Sequence, residues 1–315
     1  MLSLIIVDYN SIKQTIKYMD NFLDKFIIKD ELHIVVVDNS LDGKGLEYIR
    51  TLKLEEINID KSNLLGKDGS VFLYRNIKLA VIAAKENLGY ARGNNLGANI
   101  SDNLFKDNYY IFSNNDLRIR ENIEFKELED IFKKDKNIAV VGPKIVNVEG
   151  IIQSPRKYVS IWRGMVLFYI NILLSNKLKK FSNNVDYDGK SRYAYWVMGC
   201  FLMIDANKFN EVEGFDEYTF LLAEEMILSE RLMKKGYKNY FYNDICLLHE
   251  HGQTIKNTLS AINGMKIAFK SNYYYYKEYT NTTRISLYAT KIIFRVFLML
   301  FYLREKLKKY IRRKR

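Results

Sequence analysis

Two short runs of mostly apolar, largely β-branched residues, 2–7 and 32–37, each with one polar residue (Ser3, His33), stand near the start of the chain. Runs of this length without polar alternation predict strands covered on both faces, as in a parallel sheet. Between them Ile12, Ile16, Met19, Phe22, Leu23 and Phe26 recur at helical spacing. The opening segment therefore predicts a strand–helix–strand unit, with parallel strands and a right-handed crossover. The alternation continues. Residues 79–84, 109–112 and 138–141 predict strands, residues 94–100 begin a helix, and Phe125, Leu128, Ile131 and Phe132 mark another. An open α/β sheet follows, with ligands expected at the carboxyl ends of its strands.

The second half differs in pattern. Residues 156–192 form an aromatic stretch without a clear period, and 193–204 predict one long apolar strand containing Gly199. Residues 223–235 predict a helix stopped by Gly236, and 237–242 a strand. A Tyr-rich helical stretch around 273–276 precedes a basic C-terminal helix. There is no internal repeat and no Pro/Ser linker.

Composition narrows the class. With 48% apolar residues in 315, the chain can bury a sizeable core, which excludes bulk disorder. Cys200 and Cys246 both lie in apolar runs, as small core residues of a protein in a reducing compartment do. Asp8 interrupts the first apolar run and no basic segment precedes it, so residues 2–7 read as a core strand and not as a signal peptide. The formal charge of +12 is concentrated at one end. Residues 291–315 hold ten Lys/Arg against the single acid Glu305, a net +9, which leaves +3 for everything else. The basicity belongs to an appendage, so no nucleic-acid partner is expected for the body.

Chemistry-bearing residues cluster where predicted strands end. Asp8-Tyr9-Asn10 closes the first strand and Asp38-Asn39-Ser40 the second. A Tyr ring can stack on a base, and a carboxylate can accept from a base imide or a ribose hydroxyl. Ordinary turn chemistry is the competing explanation. From Asn87 through Gly89 and Arg92 to Asn95 and Gly97, a glycine-bearing loop feeds a helix. It suits close backbone approach to an anion, or a structural turn. Ser113-Asn114-Asn115-Asp116 follows a buried strand, where one carboxylate can hold Mg²⁺ or Mn²⁺ with diphosphate oxygens and water completing the shell. Glu224-Glu225 opens a helix, which the macrodipole favours, and either carboxylate buried in a cleft could serve as a general base. His249-Glu250-His251-Gly252 holds two of the three histidines, and His249 is a candidate metal ligand beside Asp116.

Taken in order, these segments resemble the family 2 inverting glycosyltransferases of GT-A fold. The closest subgroup in appearance is the rhamnosyl- and galactofuranosyltransferase-like enzymes of bacterial surface polysaccharide assembly. The matching pieces are Asp8-Tyr9-Asn10, Asp38-Asn39-Ser40, Asn87-Leu88-Gly89, Asn94-Asn95-Leu96-Gly97, Asn114-Asn115-Asp116, Trp196 through Cys200, Gly214-Phe215-Asp216-Glu217, Glu224-Glu225 and His249. The resemblance implies a GT-A domain over 1–255, with a nucleotide-sugar half of about 1–120 and an acceptor half of about 121–255, and a helical extension over 256–315. It implies Tyr9 and Asp38 at the nucleotide base and Asp8, Asn10, Asn39, Asn87, Gly89, Arg92, Asn95, Asn114, Asn115 and Trp196 around the donor sugar nucleotide. It implies Asp116 and His249 at a divalent Mn²⁺ or Mg²⁺, and Glu225 with Glu224 at the catalytic acidic position. The chain departs from the family in carrying Asp8 for a Thr, one carboxylate in place of Asp-x-Asp, and Glu for the catalytic Asp. The implied reaction is transfer of a sugar from a UDP- or dTDP-sugar to a hydroxyl of a glycan acceptor on a lipid diphosphate, with inversion. The alternatives are a non-catalytic nucleotide-sugar-binding protein at the membrane surface and a nucleotidyltransferase.

The tail bears on location. Residues 292–303 are apolar but interrupted by Arg295, and a span needs about 20 apolar residues. Leu303, Leu307, Tyr310 and Ile311 share one face, with Lys306, Lys308, Lys309, Arg312 and Arg313 around them. This predicts a helix lying on an anionic membrane surface through residues 291–315, which would place the protein in the cytoplasm, peripheral on the inner face of the cell membrane. A terminal helix packed on the body is the alternative. Residues 162–174 are a second candidate for membrane or acceptor contact.

Overall fold

A computed structural model describes residues 1–174, 184–250 and 261–314, with side chains of the last helix described through Leu307. His251 and Gly252 lie outside the described residues. The chain divides into two units, Met1–Arg156 with Val185–Thr254, and Lys157–Asn184 with Ile255–Arg315. The aromatic stretch 157–184 thus groups with the C-terminal helices.

The strands of the first unit are β1 (Leu2–Asp8), β2 (Phe26–Ile27), β3 (Leu32–Asp38), β4 (Glu55–Ile57), β5 (Asp68–Tyr74), β6 (Ile77–Ala83), β7 (Tyr109–Ser113), β8 (Leu117–Ile119), β9 (Ile123–Glu124), β10 (Ile138–Asn147), β11 (Arg192–Ala194), β12 (Phe201–Asp205) and β13 (Lys238–His249). Its helices are α1 (Ile12–Lys25), α2 (Lys44–Thr51), α3 (Gly89–Leu104), α4 (Phe125–Lys134), then, past the second unit's α5 (Leu167–Leu173), α6 (Ala206–Glu211) and α7 (Glu224–Lys234). The second unit also holds α8 (Ala261–Glu278) and α9 (Arg284–Lys314).

The main sheet has the order β11-β13-β10-β12-β7-β1-β3-β6-β5-β4, with β8 also paired to β13. Its centre, β7-β1-β3-β6, is parallel. Antiparallel partners extend it on both sides, and β10 with β13 forms a further parallel pair. Side chains alternate between faces with period two. Leu2, Leu4 and Ile6 join one core with Phe22, Val36 and Ile49, while Ile5 and Val35 join the other with Tyr110, Phe112, Phe209 and Phe215. A strand buried on both faces has no polar alternation, which is why β1 and β3 were legible as apolar runs broken only by Ser3 and His33.

Three expectations change. The predicted strand 193–204 is two, β11 and β12, which pair with different strands, β13 and β7, and are separated by a corner at Met198–Cys200 where Phe201 N–H bonds the Met198 carbonyl. The helix expected from 94 begins at Gly89, so Asn95 lies in its second turn. The hairpin β5–β6 was not anticipated. Arg75 and Asn76, at φ of 51° and 64°, form its two-residue turn, the left-handed pair that such hairpins require.

Helix α3 sits unusually close to the sheet. A Cβ at Gly97 would stand 2.5 Å from Ile5 Cγ2, and one at Gly93 3.0 Å from Val7 Cγ1. This close packing brings the first turn of α3 to the strand ends. Gly97→Ala is expected to destabilise the protein by about 1–3 kcal/mol, the usual cost of overpacking. An unchanged urea midpoint for that variant would show the helix free to shift.

Candidate active site

The parallel register aligns Asp8 with Asp38, and their carbonyls accept from Asn39 N–H and Ala84 N–H at the next strands' ends. Both side chains are wholly buried and answer to the protein itself. Asp8 accepts from Ser11 N–H and Oγ, Thr15 Oγ1 and Asn115 Nδ2. Burial pushes its carboxyl up, against those hydrogen bonds. Asp38 accepts from Ser40 N–H and Leu46 N–H, fixing the turn into α2. Tyr9 is half-buried and Asn10 exposed at φ 57°, so of this group they are the ones presented outward.

Several expected sugar-nucleotide contacts hold the scaffold. Asn95 clamps the 215–217 loop, donating to Phe215 O and Glu217 and accepting Phe215 N–H. Asn115 Nδ2 also donates to Ser11 Oγ and Thr15 Oγ1. Asn87 Oδ1 caps Gly89 N–H, and Asn39 Nδ2 donates to Gly89 O. Arg92 is exposed, 3.8 Å from Glu86. Gly89 itself is at φ 74°, and a Cβ there would meet Phe220 O at 2.2 Å.

The corner Met198-Gly199-Cys200 joins the remaining pieces. Gly199 N–H donates to Glu225 Oε1 at 3.0 Å, and Gly199 O accepts from Tyr90 Oη at 2.6 Å. Cys200 O accepts from Asn114 N–H. A Cβ on Gly199 would sit 2.6 Å from Glu225 Cγ and Oε1, so the absence of a side chain lets Glu225 lie against the corner. Burial pushes the Cys200 thiol up, and the charges of Asp116 and Glu225 add to it, so both carboxylates act on one buried atom.

Glu225 and Glu224 occupy the first turn of α7. Leu222 and Ala223 enter it at φ of 73° and 75°, left-handed values that non-glycine residues adopt at a cost of about 1–3 kcal/mol each. Burial pushes the Glu225 carboxyl up, opposed by Gly199 N–H and by the charge of Arg156. Glu224 is 2% exposed, its Oε1 has no hydrogen-bond partner, and burial and then Glu225 hold its carboxyl well above the usual range.

Asp116 and His249 meet because β8 runs antiparallel to β13 with Leu117 opposite His249. His249 Nε2 is 3.3 Å from Asp116 Oδ2, and Asp116 Oδ1 is buried without a partner. On the far side His249 Nδ1 lies 2.9 Å from Gln153 Oε1. An amide oxygen only accepts, so Nδ1 carries the hydrogen, and a neutral ring then turns its Nε2 lone pair on a carboxylate oxygen. Two lone pairs facing each other need a cation between them, a proton or a metal ion. The pair fits a divalent ion of the Mn²⁺ or Mg²⁺ kind. Among the described residues no third His, Cys, Asp or Glu joins it, so the other ligands would be substrate oxygens and water.

Gln153 and Arg156 are the residues that sequence reasoning missed. Arg156 donates from Nε to Gln153 O, bridges Trp196 through its backbone, and lies over the Trp196 ring with Cζ 5.7 Å from the centroid. Neither has a motif or period to mark it. Asn39 Oδ1, Asp116 Oδ1, Trp196 Nε1 and Glu224 Oε1 are among the buried polar atoms without a partner. All four belong to residues singled out from sequence, and orphaned buried groups call for a ligand or a functional reason.

No family model matches the sequence, and no curated protein sequence is detectably similar to it. In fold the chain is similar to the crystal structure of GalNAc-T7 with UDP, GalNAc and Mn²⁺, at 14% identity and a TM-score of 0.54, over 87% of this chain and 49% of that one. The chain thus spans about half the length of that protein. Another solved structure, S. aureus TarS 1–349, aligns at 14% identity and a TM-score of 0.48, over 88% of this chain and 72% of that one. The likeness to the first is one of fold: the mixed α/β sheet with parallel centre and C-terminal helices is of the GT-A type.

Two outcomes follow from the geometry. The raised Glu224 carboxyl favours the neutral acid in the folded state, so the stability it contributes is present at low pH and lost as pH climbs through its raised value. Glu224→Gln, neutral throughout, should therefore raise the melting temperature more at pH 8 than at pH 5. An equal change at both would place the charge elsewhere. Gln153→Leu, which removes the acceptor that fixes the His249 tautomer, should weaken Mn²⁺ binding by about tenfold or more, read by electron paramagnetic resonance titration. Unchanged affinity would exclude Gln153 from that role.

Proposed function

We propose that the protein is an inverting glycosyltransferase. It moves a hexosyl or deoxyhexosyl group from a UDP- or dTDP-sugar to a hydroxyl of a glycan acceptor. The acceptor is carried on a lipid diphosphate, in capsule, O-antigen or cell-wall polysaccharide synthesis, at the inner face of the bacterial cell membrane. The observation that carries the reading is the Gly199–Cys200 corner. It fixes Glu225 on one side and, through Asn114, the segment leading to Asp116 and His249 on the other. The GT-A fold agrees with it, and the similar GalNAc-T7 structure contains UDP, GalNAc and Mn²⁺.

Glu225 is the general base. Its Oε1 is held by Gly199 N–H, which leaves the other oxygen to take the proton of the acceptor hydroxyl as that oxygen attacks the anomeric carbon. Asp116 and His249 would hold the divalent ion, which when bound offsets the charge gathering on the departing nucleoside diphosphate. Tyr9, outward at the strand mouth, would stack on the base. Glu224, buried and without a partner on Oε1, has its neutral form favoured by burial and by the charge of Glu225, which opposes a second negative charge beside the base. With a single base and no second nucleophile, the anomeric configuration inverts.

Thermal stabilisation by UDP or dTDP with Mn²⁺, and not by GDP or CDP, is the expected result of a melting assay, since a ligand of the folded state raises its stability by mass action. No shift with any nucleotide would overturn the reading. Glu225→Gln should lose about 10²–10⁴-fold in kcat while binding the nucleotide as before. Because burial raises the Glu225 carboxyl, the acidic limb of wild-type kcat/KM should lie above the ordinary glutamate range, with activity falling as pH drops through it.

A further inference from the structure

The second unit poses a separate question. Helix α9 runs unbroken from Arg284 to Lys314, and its Arg284–Leu307 portion is long and apolar enough to cross a membrane. That portion measures about 36 Å at 1.5 Å per residue. The expectation of a short apolar segment over 292–303 is thus too narrow.

The helix is apolar on two sides, and the sides are treated differently. On the inner side Phe294, Phe297 and Phe301 are buried. The Phe294 ring stacks on Phe269 of α8 at 3.9 Å and lies 4.9 Å from Tyr169 of α5. Arg304 Nη1 donates to the carbonyls of Ile172 and Leu173 at the end of α5, at 2.8 and 3.2 Å. On the outer side Tyr288, Ile292, Val296, Met299, Leu303 and Leu307 recur every three or four residues and so form one stripe. Met299 is 57% and Leu307 59% exposed. A continuous exposed apolar stripe of this length on a soluble surface marks a contact site.

We propose that α9 lies flat in the headgroup region of an anionic phospholipid bilayer, with its outer stripe facing the acyl chains. Charge selects this occupant. The tail from Lys291 carries a net +9, and each basic residue near an anionic surface contributes about 1 kcal/mol of attraction. Parallel pairing of two copies along the same stripe would instead bring two such tails together. The inner contacts select the orientation, because a helix held along one side by α5 and α8 has only its other side to offer lipid. The unit also exposes Trp162 and Phe168, residue types suited to the membrane interface. None of this depends on the reaction proposed above.

The test is co-sedimentation of the full chain, without substrate, with vesicles of phosphatidylcholine alone or mixed with phosphatidylglycerol. Binding to the mixed vesicles, weakened by salt and released by alkaline carbonate, is expected. The double variant Ile292→Glu/Met299→Glu should lower the bound fraction by roughly tenfold or more at an unchanged melting temperature, since both residues are exposed. Leu303→Gln/Leu307→Gln should act in the same direction if the first variant folds poorly. Equal binding by wild type and variants, or no binding to the anionic vesicles, would overturn the proposal. Retention through carbonate would overturn the flat orientation in favour of a span. A wild-type dimer that these variants convert to a monomer, seen by light scattering, would assign the stripe to a second copy.

Discussion

One hydrogen bond organises the chemistry of this chain, that from Gly199 N–H to Glu225 Oε1. It forms only because residue 199 has no side chain, since a Cβ would occupy the space of the glutamate itself. The same corner takes the Tyr90 hydroxyl from the first turn of α3 and the Asn114 amide from the end of β7. Three elements that are distant in sequence are therefore held by one dipeptide, which links Glu225 to the segment leading to Asp116 through two hydrogen bonds donated by backbone amides.

The two adjacent glutamates illustrate how environment divides labour between identical groups. Burial raises both carboxyls, but the Gly199 N–H and the charge of Arg156 oppose it at Glu225, whereas the like charge of Glu225 adds to it at Glu224, which keeps one oxygen without a partner. Pairs of carboxyls pushed apart in this way are the usual signature of acid and base assignments. The left-handed backbone at Leu222 and Ala223 feeds both into the helix's first turn, and strain of that kind persists only where surrounding contacts over-determine it. Here those contacts include the Phe220 carbonyl bonded by Tyr90 N–H.

The parallel centre was legible because β1 and β3 are covered on both faces and so read as apolar runs in which only Ser3 and His33 are polar. The strands β4 and β5 at that end of the sheet were not, since β4 is short and exposed and the left-handed turn at Arg75-Asn76 carries no glycine. Of the residues singled out from sequence, Asp116 meets His249 and Glu225 meets the Gly199–Cys200 corner, and the charges of Asp116 and Glu225 both act on the Cys200 thiol. Asp8, Asp38 and Asn115 were read as ligand contacts from their place after strands, and Asn95 from a loop feeding a helix, whereas the structure engages all four with backbone groups and neighbouring side chains. Residue type and position cannot separate these uses, because a carboxylate at a strand end accepts equally well from a ligand or from the next turn. Gln153 and Arg156 left no trace in the sequence because their roles are set by what lies across from them.

The pairing of β8 with β13 has a kinetic meaning. Asp116 and His249 are more than a hundred residues apart, and they meet only when β13, the last strand of its unit, docks beside β8 and β10. Contacts of such high sequence separation form late, after the entropy of closing the long intervening loop has been overcome. Chains still emerging from the ribosome, with β13 not yet made, would lack half of this pair. The meeting of Asp116 with His249 therefore belongs to the end of folding and not to its beginning.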